Sequence, residues 1–228
     1  MTEVAEPVQG RAPARVSRPP SERLPLARIA LVLTLVPLGL ILFDIATGNL
    51  GADPVEALRR RTGWWSLTLL VATLAVTPVR RLTGWGRIIQ VRKTVGVMAF
   101  VYALLHVIVY VTIDQWFALS YIIEDIVDRP FITAGFISFL MLIPLAWTSR
   151  RDSIRKMGGK RWQRLHRLIY PAAALGVLHY YWLVKADTTR PIIFAVVLTV
   201  LLLLRLVLRT PAPGRKAGAP DRAKHISA

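Results

Sequence analysis

The sequence predicts an all-α integral membrane protein, a bundle of six helices that cross a bilayer. Three observations predict it. Hydrophobic residues make up 54% of the 228 residues, and they fall in runs of about 17 to 21, enough to span a hydrocarbon core of about 30 Å. Gly, Pro and charged residues separate the runs. The 30 Lys and Arg, against 13 Asp and Glu, gather at alternate ends of the runs, as they do in the cytoplasmic loops of membrane proteins.

Residues 1–25, rich in Pro, Arg, Ala and Glu, have no apolar period and read as a disordered basic cytoplasmic tail. No secretory signal pattern is expected in them. The membrane domain is expected over 26–207, with spans at 26–46, 64–79, 94–113, 132–148, 165–184 and 191–207. Residues 114–130 form a longer acidic loop, amphipathic around 121–126. A strongly basic loop with Arg150, Arg151, Arg155, Lys156, Lys160, Arg161, Arg164 and Arg167 follows the fourth span. Residues 208–228 form a second disordered basic tail. No internal repeat is visible.

Both tails and the loops after spans two and four carry most of the positive charge, so both termini are expected in the cytoplasm. That pattern also explains the net charge of +17 without nucleic acid as a partner; lipid headgroups are the expected neighbours. Trp64, Trp65, Trp85, Trp116, Trp147, Trp162 and Trp182 lie near expected span boundaries, in the pattern of an aromatic belt. The absence of cysteine excludes disulfides, iron–sulfur clusters, thiolate-ligated heme and covalent c-type heme.

Of the four histidines, His225 falls in the tail. His106 lies about 18 Å into the third span and His179 about 21 Å into the fifth, at a 1.5 Å rise per residue. Both spans run outward, so the two imidazoles share a depth in the outer half of the membrane. Facing imidazoles in a helix bundle are a familiar axial pair for heme iron. The plainer reading has each ring hydrogen-bonded to a neighbouring helix. No cysteine or intramembrane carboxylate is present to complete a zinc site. His166 begins the fifth span, about 20 Å below His179. The matching depth of span three offers Arg92 and Lys93, so a second heme there would lack a histidine partner. Pro171 lies between His166 and His179 and could bend the helix.

The ordered stretches 53–65 (DPVEALRRRTGWW), 74–82 (LAVTPVRRL), 92–111 (RKTVGVMAFVYALLHVIVYV), 129–136 (RPFITAGF) and 159–182 (GKRWQRLHRLIYPAAALGVLHYYW) resemble the MsrQ (YedZ) family of the wider ferric-reductase-like transmembrane group. The resemblance covers about 26–207. It implies a ferric-reductase-like six-helix fold in the bacterial inner membrane and b-type heme, one or two per chain, held by His106, His179 and His166. It also implies FMN, with quinone as a further candidate. Electrons would come from the quinone pool or a cytosolic flavin reductase and pass to a periplasmic molybdopterin methionine sulfoxide reductase, MsrP. The chain would then be an electron-transfer subunit rather than the catalytic one. It has no glycine-rich dinucleotide motif. Two other readings stay open: a stand-alone ferric or metal reductase, and a non-redox transporter or anchor.

Overall fold

The structure is a computed structural model that describes residues 24–208. The two expected tails and His225 lie outside it, apart from the inner edge of each tail. Among the described residues there are nine α-helices and no strand. They are α1 (Leu24–Thr47), α2 (Pro54–Thr83), α3 (Val91–Val109), α4 (Leu119–Asp128), α5 (Pro130–Trp147), α6 (Arg151–Met157), α7 (Gly159–Leu165), α8 (Ile169–Leu183) and α9 (Thr189–Val207). A 3-10 turn at Gly86–Gln90 leads into α3, a π turn at Tyr110–Asp114 ends it, and a 3-10 turn at His166–Leu168 joins α7 to α8.

Five segments are long and apolar enough to cross a membrane: those of α1, α2, α3, α5 and α9. The sixth expected span, α8, has 15 residues, about 22 Å of helix. It reaches further only through the 3-10 turn and α7. Pro171 explains the break. It has no N–H to donate, and its ring crowds the carbonyl four residues back, so the backbone just upstream tightens into a 3-10 turn.

The second span also differs from expectation. It starts at Pro54, not at residue 64, because Asp53 caps it by accepting the Glu56 N–H at 2.9 Å with Pro54 in the first turn, a favoured helix start. Trp64 and Trp65 therefore sit inside α2. They meet edge to face at 4.7 Å, and Trp64 also meets Phe194 of α9 at 6.4 Å.

The most extensive packing joins α2 to α3 and α5 to α8. The two antiparallel pairs meet through α3 with α5 and α2 with α8, and α1 and α9 pack outside. Small residues let the backbones close up: Ala99, Ala172 and Ala173 have no exposed surface, nor does Tyr102. The Tyr102 hydroxyl, buried by this packing, donates to the Thr34 carbonyl at 2.8 Å. Outward-facing Val32, Leu33, Phe43, Ile193, Val196 and Leu203 are exposed, an apolar girdle suited to lipid.

The bundle has one acidic and one basic end. At the acidic end Arg61 pairs with Asp44 and Arg59 with Asp114. Helix α4 lies there, held by Asp125, which accepts from the Tyr110 hydroxyl at 2.8 Å and Gln115 Nε2 at 3.1 Å and pairs with Arg129 at 3.1 Å. The basic loop forms α6 and α7, broken at Gly158 (φ 75°).

Candidate functional site

Antiparallel packing of α2 on α3 and of α5 on α8 carries two histidines to the acidic half of the bundle. The His106 and His179 rings lie 6.2 Å apart, centroid to centroid, and are inclined at 75°. Each is tethered to the helix beside its own. His106 Nδ1 is 2.9 Å from the Arg59 carbonyl of α2, and His179 Nδ1 is 2.6 Å from the Phe131 carbonyl of α5. A carbonyl only accepts, so both Nδ1 atoms carry the proton and both Nε2 atoms keep a free lone pair. Neither Nε2 has a hydrogen bond among the described residues.

Glycine makes the approach close enough. A Cβ on Gly63 of α2 would lie 3.0 Å from His106 Nδ1, and one on Gly135 of α5 would lie 2.7 Å from His179 Nδ1. Each glycine stands four residues after the accepting carbonyl, one turn along the same helix face. One turn further in, the Ser66 hydroxyl donates to the Ala99 carbonyl at 3.1 Å, and the Ser138 hydroxyl donates to the Ala172 carbonyl at 2.8 Å.

The pair suits a metal that brings its other ligands with it. An imidazole nitrogen binds a transition metal at about 2 Å, so two rings on opposite sides of one ion have centroids roughly 6 Å apart. Among the described residues no group of three His, Cys, Asp or Glu side chains could hold an ion. Two axial nitrogens with oriented second nitrogens are what a metal macrocycle needs from a protein. A fully protein-ligated zinc site does not fit.

His166 stands apart from this pair, at the basic end. Its Nε2 lies 3.1 Å from Thr148 Oγ1, whose proton goes to the Pro144 carbonyl at 2.6 Å. The hydroxyl oxygen therefore accepts from His166. The ring stacks on Trp162 at 4.0 Å, and Trp162 Nε1 donates to the Thr148 carbonyl at 2.9 Å. No second histidine reaches it among the described residues. Arg92 is close enough to act on it electrostatically. Arg205 donates to Thr77 Oγ1 at 2.8 Å and sits over the Tyr170 ring at 5.2 Å. Among the described residues, Arg205 Nη1 and Gln90 Oε1 are buried without a partner.

The sequence reading singled out all three intramembrane histidines and missed Gly63, Gly135, Ser66 and Ser138. A Gly-x-x-Ser spacing occurs at both places, but it acquires meaning only once the partner helices are known.

The fold defines an all-α transmembrane bundle that brings two histidines together, and residues 62–177 match the family described as ferric reductase like transmembrane component. Among curated relatives, a protein of Rhodospirillum rubrum is 50% identical over 183 residues, 80% of this chain and 88% of that one. One of Herminiimonas arsenicoxydans is 46% identical over 77% of this chain and 81% of its own. One of Ralstonia nicotianae is 44% identical over 87% of this chain and 94% of its own. Each is named protein-methionine-sulfoxide reductase heme-binding subunit MsrQ. The chain belongs to the MsrQ family.

Proposed function

We propose that this protein is a membrane electron-transfer subunit that carries electrons through b-type heme to a periplasmic methionine sulfoxide reductase. The carrying observation is the His106–His179 pair, tethered at both Nδ1 atoms and open at both Nε2 atoms. The names of the relatives support heme as the group and methionine sulfoxide reduction as the system.

Heme held between His106 and His179 would supply a one-electron iron couple in a site screened from water. The residues supply the rest. The Arg59 and Phe131 carbonyls fix both tautomers and ring orientations, which raises the basicity of each Nε2. Arg59 is held by Asp114, so a positive charge stays near the pair at a defined place.

The basic end is read as cytoplasmic and the acidic end as periplasmic, in the bacterial inner membrane. Electrons enter at the basic end from the quinone pool or a cytosolic flavin reductase, and leave near the pair toward a molybdopterin partner, MsrP. His166, Arg92 and Arg205 are the groups proposed to serve the entry side. The two guanidinium groups suit the phosphate of FMN, whereas a second heme would have His166 as its one histidine. Catalysis of sulfoxide reduction stays with the partner.

The first experiment is an optical spectrum of detergent-purified protein. A dithionite-reduced α-band of heme b is expected, and its absence would sink the proposal in favour of a non-redox transporter or anchor. His106→Ala and His179→Ala should each remove the low-spin heme or make it high-spin. Wild-type spectra in both variants would overturn the pairing. The family's ferric-reductase likeness favours one rival, a stand-alone metal reductase. Stopped-flow reoxidation separates them: the purified molybdoenzyme should reoxidise the reduced protein faster than chelated ferric iron does.

A further inference from the structure

We infer that α2/α3 and α5/α8 are two copies of one ligand-presenting module, in which Gly63 and Gly135 are positioning residues that set the width of the gap between the two imidazoles. The inference rests on the reading of His106 and His179 as axial ligands.

The copies agree contact by contact. The receiving helix offers a carbonyl, then a glycine four residues on, then a serine three further: Arg59, Gly63, Ser66 in α2 and Phe131, Gly135, Ser138 in α5. The presenting helix offers a histidine and, seven residues earlier, an alanine: His106 and Ala99 in α3, His179 and Ala172 in α8. In both copies the histidine Nδ1–H meets the carbonyl, the ring lies on the glycine, and the serine hydroxyl ties to the alanine carbonyl. Seven residues are close to two helical turns, so the two ties lie on one seam of each antiparallel pair. Chain direction is the same in both copies. They are therefore related as parallel repeats about an axis along the bundle, a known route to a site at a repeat interface.

The glycines matter because each ring is pinned between its carbonyl and the gap. A methyl group at Gly135 would meet three ring atoms at 2.7 to 3.0 Å, and one at Gly63 would meet His106 at 3.0 and 3.1 Å. A ring that yields to the methyl loses or lengthens its Nδ1 bond and shifts relative to its partner across the 6.2 Å gap.

The test compares purified Gly63→Ala, Gly135→Ala and Gly39→Ala. Gly39 is exposed on α1 with nothing within 4 Å of an added Cβ. Readouts are heme per chain by pyridine hemochrome, the ferric low-spin resonance and the midpoint potential. Gly135→Ala should lose at least half its heme or convert it to high spin. Gly63→Ala should shift the same way but less, and Gly39→Ala should match wild type. Alanine is the better helix former, so the losses cannot come from weaker helices. Wild-type heme content, resonance and potential in both Gly63→Ala and Gly135→Ala overturn the inference.

His106→Ala and His179→Ala run in parallel: heme retained there defeats the ligand reading itself, while heme lost there but kept in the glycine variants defeats this inference alone. If Gly135→Ala accumulates poorly, Gly135→Ala/His179→Ala is compared with His179→Ala. Equal levels are expected, because the ring that the methyl strikes is gone. A lower level in the double variant overturns the inference.

Discussion

At the scale of single residues, what a histidine can do depends on where its second nitrogen goes. His106 and His179 spend Nδ1 on carbonyls of the neighbouring helices and keep Nε2 unbonded among the described residues, whereas His166 spends Nε2 on Thr148. His166→Ala is therefore expected to leave the low-spin spectrum of the outer pair intact while slowing reduction from the basic end. Stopped-flow reduction of the purified variant by a flavin reductase reads both. Loss of the low-spin heme itself would contradict the separation of the two sites. Depth arithmetic made His106 and His179 legible in the sequence, since position along a helix follows from a fixed rise. Gly63 and Gly135 were not legible. A glycine inside an apolar run has many uses, and its role here exists only through a ring from another helix.

At the scale of elements, polar residues at the acidic end do most of the shaping. The Asp53 cap lengthens α2 so that Arg59, Arg61 and Gly63 become helical. Asp53→Ala is expected to cost about 1 kcal/mol and to fray the first turn, seen as faster amide exchange at 55–58. Asp125 ties α4 to the π turn and to Arg129. Its carboxylate is buried on a helix whose other face exposes Leu119, Ile123 and Val127. Asp125→Ala strands the Tyr110 hydroxyl and should cost about 1–3 kcal/mol. Limited proteolysis should then cut within 116–129 faster than in wild type. Apolar runs mark the spans, but short polar signals set the helix ends: Asp-Pro-x-Glu before α2 is a start signal, and Pro171 marks the break before α8. Amphipathic character around 121–126 became α4, which no periodicity alone would have laid against α5.

For the whole molecule, the sequence carried the order of the helices and an expected direction for them, while the pairing of α2 with α3 and α5 with α8 had to come from packing. The likeness of the two pairs is hidden because it resides in five positions per copy, one of them a backbone carbonyl, among residues that mostly differ. Reporter fusions give a direct check on direction. A periplasm-active phosphatase fused after Phe117 should be active, and one fused after residue 157 inactive; the reverse pattern would invert the bundle.

The off-centre position of the histidine pair has an electrical consequence. On the proposed orientation, an electron passed from the basic end to heme held by His106 and His179 would travel about 18 to 21 Å along the bundle, moving negative charge away from the negative side. Crossing the full potential is worth about 2.3 kcal/mol per charge per 100 mV, so the membrane voltage would push each electron outward with a large part of that. In sealed vesicles energised with the basic side negative, reduction of heme held by the pair should slow when an ionophore collapses the voltage. The protein would thus draw on the resting membrane as well as on its electron donor, and repair outside the cell would weaken when the membrane depolarises.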